Sequence, residues 1–162
     1  MAELVQAALR LNPSRVVVGE VLGDEILPLL NAMSQGKQAM GTIHAESSLG
    51  TFQRIAMYAL TSPVRLGMEA TCQLVAGAVG FVVFLDHRDE RPIGGRLHRF
   101  VASVREVTGP DGSRVLSNEI YRPGPDGRAV PHPGVPLRCL AELERHGFDR
   151  TLLERPQGWW LP

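Results

Sequence analysis

Two short apolar runs, each leading to one ionisable side chain, constrain this fold more than any other feature of the chain. In RVVVGEV, from Arg15 to Val21, β-branched residues lead through a glycine to Glu20. In GTIHAES, from Gly41 to Ser47, the apolar run leads to His44. Consecutive apolar residues are typical of strands that are buried on both faces of a parallel sheet. We therefore predict two adjacent parallel strands that bring Glu20 and His44 to the same edge of the sheet.

The apolar periodicity and the turn residues predict a first helix followed by the element order β-α-β-α-α-β. The predicted helices are Ala2–Leu11, a helix capped by Asp24 that runs to Ser34, a helix opened by Ser47 or Ser48 that runs to Leu60, and Pro63–Ala78. The predicted strands are Arg15–Val18, Ala39–Ile43 and Gly80–Leu85. This order indicates an α/β fold with a parallel or mixed sheet covered by helices.

The chain changes in character after His87, where DHRDERPIGGR predicts a polar loop. The segments LHRFVASVREV and SRVLSNEIY flank GPDG, which predicts an antiparallel hairpin. The proline-rich stretch Arg122–Pro136 is predicted to be a linker, and Leu137–His146 is predicted to be an amphipathic helix. Trp159 and Trp160 are equally consistent with core packing and with a partner surface.

Composition excludes several classes of protein. Apolar residues make up 44% and charged residues 21% of the 162 residues, which is typical of a globular domain and not of a disordered tail. The net charge of zero gives no whole-chain attraction to nucleic acid or to an anionic membrane. Cys72 and Cys139 lack metal-site spacing, so we expect reduced thiols. The longest apolar run, Leu74–Leu85, is too short to span a bilayer and no signal peptide is visible, so we expect a cytoplasmic location.

Glu20 and His44 are the candidate catalytic residues. A carboxylate at this edge can orient a water for attack on a phosphate, or hold Mg²⁺ through the ion's water shell. A histidine there can contact a γ-phosphate or the attacking water. Taken alone, each residue is also explained as a solvated acid at a strand end or as a loop histidine with satisfied hydrogen bonds. Their common position is what favours a functional pair.

The sequence lacks the phosphate-binding loop that such a pair normally serves. That loop is written G-x-x-x-x-G-K-[ST], because backbone N–H groups and a lysine must surround the phosphates. The single GK of the chain is Gly36-Lys37. Asn31 stands where the first glycine is needed, and Gln38 stands where Ser or Thr is needed. The match therefore fails at two positions.

Several motifs in order resemble the C-terminal half of the type II/type IV secretion ATPase superfamily, and most nearly its tight-adherence (Flp) pilus assembly branch. They are LVQAALRLNPSRVVVGEV, then GDEILPLLNAMSQGKQAMGTIHAESSLGTFQRI, and a late V-x-S-V-R-E-V strand. The resemblance runs from Leu4 to Val107. It implies a partial RecA-like P-loop NTPase core over residues 1–107, the second strand of a C-terminal hairpin over 108–121, and a linker with a helical tail over 122–162.

The resemblance also implies roles for particular residues. Glu20 matches the Walker B glutamate, which positions the hydrolytic water and the Mg²⁺ shell without binding the metal directly. His44 matches the histidine-box residue that contacts the γ-phosphate. Arg10 and Arg54 match family arginines at the nucleotide or the subunit interface. The implied cofactors are ATP and Mg²⁺. Leu22 departs from the family, which usually has arginine after GEV.

The partners implied by the family are other subunits of a homo-hexamer and inner-membrane platform proteins, with no nucleic acid expected. The implied activity is ATP hydrolysis coupled to export of pilin or another substrate, in the cytoplasm at the inner membrane. Because the phosphate loop is absent, we predict that the isolated chain is inactive and that its sheet has an exposed edge. The alternative is a non-catalytic module that docks on full-length ATPase subunits or on a membrane platform protein. An in-phase phosphate loop encoded upstream of Met1 would favour the motor.

Overall fold

The structure is a computed structural model that describes residues 1–156. Contacts divide the chain into two compact units, of which the first comprises residues 1–80 and 107–116. The second comprises residues 81–106 and, of the described residues, 117–156. The helices are α1 (Ala2–Arg10), α2 (Ile26–Ser34), α3 (Gly50–Thr61), α4 (Met68–Ala78) and α5 (Leu140–Arg145), and short 3₁₀ turns lie at Arg91–Ile93 and Arg150–Leu153. The strands are β1 (Arg15–Val18), β2 (Gln38–Gly41), β3 (Phe81–Asp89), β4 (Leu97–Asp111), β5 (Arg114–Pro123) and β6 (Ala129–Pro131).

Strands β1 and β2 form the parallel pair that the sequence predicts. Their register runs from Arg15 opposite Gln38 to Val18 opposite Gly41. Beyond the last pair, the ladder continues because Thr42 N–H donates to the Val18 carbonyl at 3.3 Å. Strand β2 begins and ends earlier than the predicted range Ala39–Ile43. The residues after both strands therefore leave the sheet side by side.

The prediction that both faces of this sheet are buried is wrong. Val16 and Val18 are buried, but Val17 is 59% exposed. On β2, Met40 is 61% exposed. Helix α2 packs against both strands on one side, and in the described part of the chain the other side is open. Burial alternates along β1 because successive side chains point to opposite faces of a strand.

Helix α2 is the centre of the first unit. Its buried residues are Ile26, Leu27, Pro28, Leu29, Leu30 and Ala32. It contacts α1, α3, α4 and both parallel strands, so it is covered on almost every side. A helix that is apolar nearly all round is typical of a buried position. Pro28 is tolerated because it lies in the first turn, and Gly36 follows the helix end with a φ of +78°.

The predicted cap of α2 by Asp24 is wrong, because Glu25 is the N-cap residue and no side chain caps the helix. Asp24 is exposed in the turn before the helix. The Glu25 carboxylate is only 5% exposed, and it accepts the Leu22 N–H at 2.6 Å. Burial acts to raise the pKa of Glu25, but backbone N–H groups of Leu22, Gly23 and Glu25 itself bring it below its ordinary value. The longer side chain of glutamate can reach back across the turn, and this closes the segment that follows Glu20.

The starts of helices α3 and α4 differ in how well they follow the prediction. Helix α3 begins at Gly50 after the N-cap residue Leu49, and the predicted Ser47 lies just before it, where its Oγ accepts the Gly50 N–H at 3.0 Å. Helix α4 begins at Met68 and not at Pro63. The residues between α3 and α4 form a turn in which Arg65 has a φ of +50°. A left-handed residue cannot continue a right-handed helix, so the start is delayed.

An antiparallel sheet in the order β3-β4-β5-β6 forms most of the second unit. Strand β3 belongs to this sheet and not to the β1-β2 pair, and it extends to Asp89 through part of the predicted polar loop. The predicted β4-β5 hairpin is confirmed, and its turn lies at Gly112-Ser113, which overlaps only the last residue of GPDG. Gly112 has a φ of +54°, a conformation that suits glycine.

The stretch Arg122–Pro136, predicted to be a linker, contains strand β6. Strand β6 pairs with the end of β5, with Tyr121 opposite Pro131. Proline lacks an N–H but is tolerated at strand ends and in edge strands, which is where the structure places Pro131. Helix α5 is shorter than the predicted helix Leu137–His146. Trp159 and Trp160 lie outside the described residues. No helix among residues 1–156 is long and apolar enough to cross a membrane.

The acid of the late V-x-S-V-R-E-V motif, Glu106, anchors the segment before α5. Glu106 is only 4% exposed, and its carboxylate accepts the N–H groups of Arg138 at 2.8 Å and Cys139 at 2.9 Å. Burial, together with the hydrogen bond and the negative charge of Glu106, raises the pKa of Cys139 to about 11. This motif residue therefore has a structural role within the second unit.

Alternating burial along β1 predicts opposite effects for two neighbouring valines. Val18→Ala should lower the free energy of unfolding by about 2 kcal/mol, because it removes buried methyl groups. Val17→Ala is the matched control on the same strand, and it should change stability by less than about 0.5 kcal/mol. Urea unfolding followed by circular dichroism measures both. Equal losses would contradict the one-sided burial of β1.

The Glu106 contact predicts a change in the chemistry of Cys139. Glu106→Gln removes the negative charge beside the thiol, so the pKa of Cys139 should fall from about 11 toward its ordinary value of 9.0. Iodoacetamide labelling across a pH series, read by peptide mass spectrometry, gives the midpoint. Cys72, whose pKa is raised by burial alone, is the internal control and should keep its midpoint. An unchanged midpoint for Cys139 would show that the carboxylate does not act on it.

Candidate active site

The structure brings Glu20 and His44 into direct contact at the carboxyl edge of the β1-β2 pair. Glu20 follows β1 and His44 follows β2. His44 Nε2 lies 2.9 Å from Glu20 Oε1, which is hydrogen-bond distance. Because parallel strands end at the same edge, the two side chains need only short excursions from the sheet to meet. The contact is what the sequence spacing led us to expect.

Both side chains are open to solvent. His44 is 86% exposed and Glu20 is 44% exposed. A small molecule at this edge could therefore reach either group without any rearrangement of the core. An exposed ion pair of this kind adds little to stability, since water competes for both groups. The arrangement offers one carboxylate acceptor and one imidazole side by side.

The turn after Glu20 is held by a hydrogen bond to the carboxylate of Glu25. Leu22 is 64% exposed, and its N–H donates to the Glu25 carboxylate. A side chain at position 22 thus faces solvent beside the candidate site. The leucine provides no charge there, so any anion near this turn must find its cationic partner elsewhere.

Arg10 and Arg54, the other candidates from the sequence, are not joined to the pair. Arg10 is exposed at the end of α1, and Arg54 is half-buried in α3. Within residues 1–156, neither makes a hydrogen bond or an ion pair with Glu20 or His44. Their assignment to a nucleotide or a subunit interface stays a prediction.

Lys37, from the single GK of the chain, has a partner away from the candidate site. Its Nζ donates to Asn12 Oδ1, and Asn12 lies in the loop between α1 and β1 with a φ of +49°. Gly36 ends α2. These two residues therefore close a helix and tie down a loop, and they do not form a phosphate-binding loop.

No metal cage or deep cavity surrounds the pair. Among residues 1–156, no group of three or more His, Cys, Asp or Glu side chains could hold a metal ion. A cavity of about 390 Å³ lies between α1, α2 and the segment after α3, but neither Glu20 nor His44 lines it. The pair lies on an open edge, so it can contact a ligand but cannot enclose one.

Comparison with known proteins finds relatives of the segment that contains this edge. The family model described as "Type II/IV secretion system protein" matches residues 1–80, which contain α1 to α4 and both candidate residues. This match supports the type II/IV secretion ATPase superfamily for residues 1–80. The prediction of this superfamily is confirmed, whereas its tight-adherence branch stays a prediction.

Relatives of the secretion ATPase segment come from bacteria and an archaeon. An uncharacterized protein of Methanocaldococcus jannaschii is 38% identical over 147 residues, which is 88% of this chain and 50% of that protein. The conjugal transfer protein TrbB of Rhizobium radiobacter is 34% identical over 115 residues, which is 70% of this chain and 31% of that protein. The chain therefore spans half or less of the length of these relatives.

A solved structure supports the fold of this segment. The crystal structure of the VirB11 ATPase from the Brucella suis type IV secretion system, in complex with sulphate, matches with a TM-score of 0.54 and 26% identity. The match covers 65% of this chain and 31% of that one. The predicted α/β fold with part of a RecA-like core is confirmed.

Sequence reasoning underrated Thr42 and Glu25 as supports of the site. Thr42 lies within GTIHAES, and a hydroxyl directly after a strand is the signal that could have suggested a tie between strand ends. Glu25 was obscured by Asp24, the more usual capping residue. Both supports act through backbone atoms of the other strand end or turn, and such contacts leave no pattern in the sequence.

Exposure predicts that the Glu20–His44 pair contributes little to folding. At pH 7, Glu20→Gln should change the free energy of unfolding by less than about 1 kcal/mol. Glu25→Gln is the matched control, and it should cost about 1 to 3 kcal/mol because a buried charged acceptor is lost. The lowered pKa of Glu25 means that this cost is present above pH 4.5 and shrinks as pH falls further. Urea unfolding at pH 7 and pH 3 measures both; a larger cost for Glu20→Gln would make the pair structural.

Proposed function

We propose that Glu20 and His44 form the water-positioning and phosphate-contacting part of an ATP hydrolysis site in a secretion or conjugation motor. The observation that carries the proposal is the 2.9 Å contact between His44 Nε2 and Glu20 Oε1. It lies at the edge where α/β proteins bind ligands, within the segment that the type II/IV secretion family model matches.

The exposed pair fits a role beside a bound nucleotide, not the role of holding one. The Glu20 carboxylate can accept a hydrogen bond from a water and take up its proton as general base. It also suits the water shell of Mg²⁺, an ion that prefers oxygen ligands. His44 can donate from Nε2 to an anionic oxygen once Glu20 turns to the water. MgATP, when bound, supplies the phosphoryl group that the water attacks.

The phosphate-binding loop of such a site comes from outside these 162 residues. No G-x-x-x-x-G-K-[ST] occurs in them, and Lys37 is tied to Asn12. General-base catalysis contributes only about 10²- to 10⁴-fold, a small part of an ATPase rate enhancement. The isolated chain should therefore hydrolyse ATP negligibly. An ATPase rate of the purified chain that Glu20→Gln abolishes would contradict this.

The substrate and partners that we propose for the motor are based on its relatives. TrbB is named for conjugal transfer and VirB11 for type IV secretion, which supports a motor that drives export of pilin or another substrate. We include in the proposal a homo-hexamer in which Arg10 and Arg54 lie at nucleotide or subunit interfaces. Its other partners are platform proteins at the cytoplasmic face of the inner membrane. The tight-adherence branch is proposed on sequence motifs alone.

One observation favours a second candidate, a non-catalytic module that docks on full-length ATPase subunits or on a platform protein. Val17 and Met40 expose 59% and 61% of their surface on the open face of the β1-β2 pair. An exposed apolar sheet face is typical of an interaction surface. Under this candidate, Glu20 would have no role in turnover.

A chimaera distinguishes the two candidates. Residues 1–80 of this chain replace the matching segment of TrbB, so that the phosphate loop comes from the relative. With this segment in place, Glu20→Gln should lower the ATPase kcat by about 10² to 10⁴ while ATP binding persists. Glu46→Gln is the matched control, since Glu46 is a nearby carboxylate outside the pair, and it should leave kcat within a factor of about three.

The outcome of the chimaera decides the proposal. Loss of turnover with Glu20→Gln and with His44→Ala, but not with Glu46→Gln, supports the hydrolytic role. A chimaera that hydrolyses ATP equally well with Gln at position 20 would falsify it and leave the docking module.

A further inference from the structure

One residue, Thr42, makes three hydrogen bonds to the segment that carries Glu20. Its Oγ1 donates to the Gly19 carbonyl at 2.5 Å. Its backbone N–H donates to the Val18 carbonyl at 3.3 Å, and its carbonyl accepts the Val21 N–H at 2.8 Å. The residues immediately before and after Glu20 are therefore both held by Thr42.

The side-chain bond acts on the residue directly before Glu20. An added Cβ at this residue, Gly19, would meet nothing within 4 Å, so no side chain packs against the Cα of Gly19. The Thr42 hydroxyl fixes the Gly19 carbonyl instead. The orientation of that peptide sets the direction in which the Glu20 side chain leaves the backbone.

Thr42 is exposed, but the residue before it lies against the core. Gly41, the residue before it, comes so close to α2 that an added Cβ would lie 2.8 Å from Leu29 Cδ2. Leu29 is 3% exposed, so the contact with α2 sets the distance between the helix and the end of β2. On the other side, His44 follows Thr42 by two positions in the chain. The position of Thr42 therefore affects where the side chains of both Glu20 and His44 leave the backbone.

We infer that Thr42 is a positioning residue that aligns Glu20 with His44. Its hydroxyl does not touch either side chain in the structure, and it acts through the Gly19 carbonyl. Its importance for turnover rests on the proposed function, whereas the alignment itself rests on the hydrogen bonds alone. A purely structural threonine would tie the strands together without affecting the geometry of the pair.

NMR of the 162-residue chain tests the alignment directly. Long-range ¹H–¹⁵N spectra of the imidazole report the hydrogen bond at His44 Nε2, and Glu20→Ala provides the shift of the unpaired ring. Thr42→Val keeps the shape and removes the donor, so the Nε2 shift should move at least halfway to the unpaired value. Thr42→Ser keeps the donor and should retain the wild-type shift.

A second threonine provides the matched control. Thr61 Oγ1 donates to the Met57 carbonyl at 2.9 Å at the end of α3, and it does not contact the strand ends. Thr61→Val should leave the His44 shift unchanged. Thr42→Ala serves in place of Thr42→Val if the latter does not fold, as judged by the amide shifts of α2. A wild-type His44 shift in a folded Thr42→Val or Thr42→Ala variant would overturn the inference.

The TrbB chimaera separates this inference from the proposed function. Thr42→Val should lower kcat about 10- to 100-fold with little change in KM for ATP, and Thr42→Ser should restore it. A displaced His44 signal together with turnover that is insensitive to Glu20→Gln would uphold the alignment and reject the ATPase role. An undisturbed signal together with a Glu20-dependent rate would reject the alignment alone.

Discussion

The parallel pairing of β1 with β2 is the constraint on which the candidate site depends. Parallel strands must end at the same edge, so the residues that follow them are neighbours whatever their separation in the chain. Here that edge places His44 Nε2 and Glu20 Oε1 2.9 Å apart. An antiparallel arrangement of the same strands would have sent these side chains to opposite edges.

Helix α2 stabilises the pairing of β1 with β2, and it covers only one face of the pair. The helix is buried nearly all round, and it contacts both strands from one side. Gly41 allows the end of β2 to approach Leu29, and the buried carboxylate of Glu25 closes the turn after Glu20. These contacts keep the strand ends in place while Glu20 and His44 themselves remain exposed. A rigid base below an open pair suits groups that act on a ligand bound above them.

The sequence predicts those features that depend on neighbouring residues. Strand β1, helix α1 and the contact of Ser47 with the start of α3 follow from local periodicity and local hydrogen bonding, and the structure contains all three. The single wrong assumption with wide consequences was that a run of valines means burial on both faces. Val17 is exposed because the described chain packs only one layer against the sheet. Strand β6 was not predicted because it depends on long-range pairing, which a proline-rich composition does not reveal. The late start of α4 was not predicted because it depends on the left-handed backbone conformation of Arg65.

The sequence by itself determined the superfamily, the parallel α/β order and the identity of Glu20 and His44 as candidates. It could do so because strand ends, glycines and polar residues occur in a fixed linear order. Only the tertiary structure decided which groups hold the pair. Thr42 reaches Gly19, and Glu25 reaches the Leu22 N–H, through backbone atoms. Every residue has the same backbone, so the sequence carries no signal of which carbonyl or N–H a side chain will find.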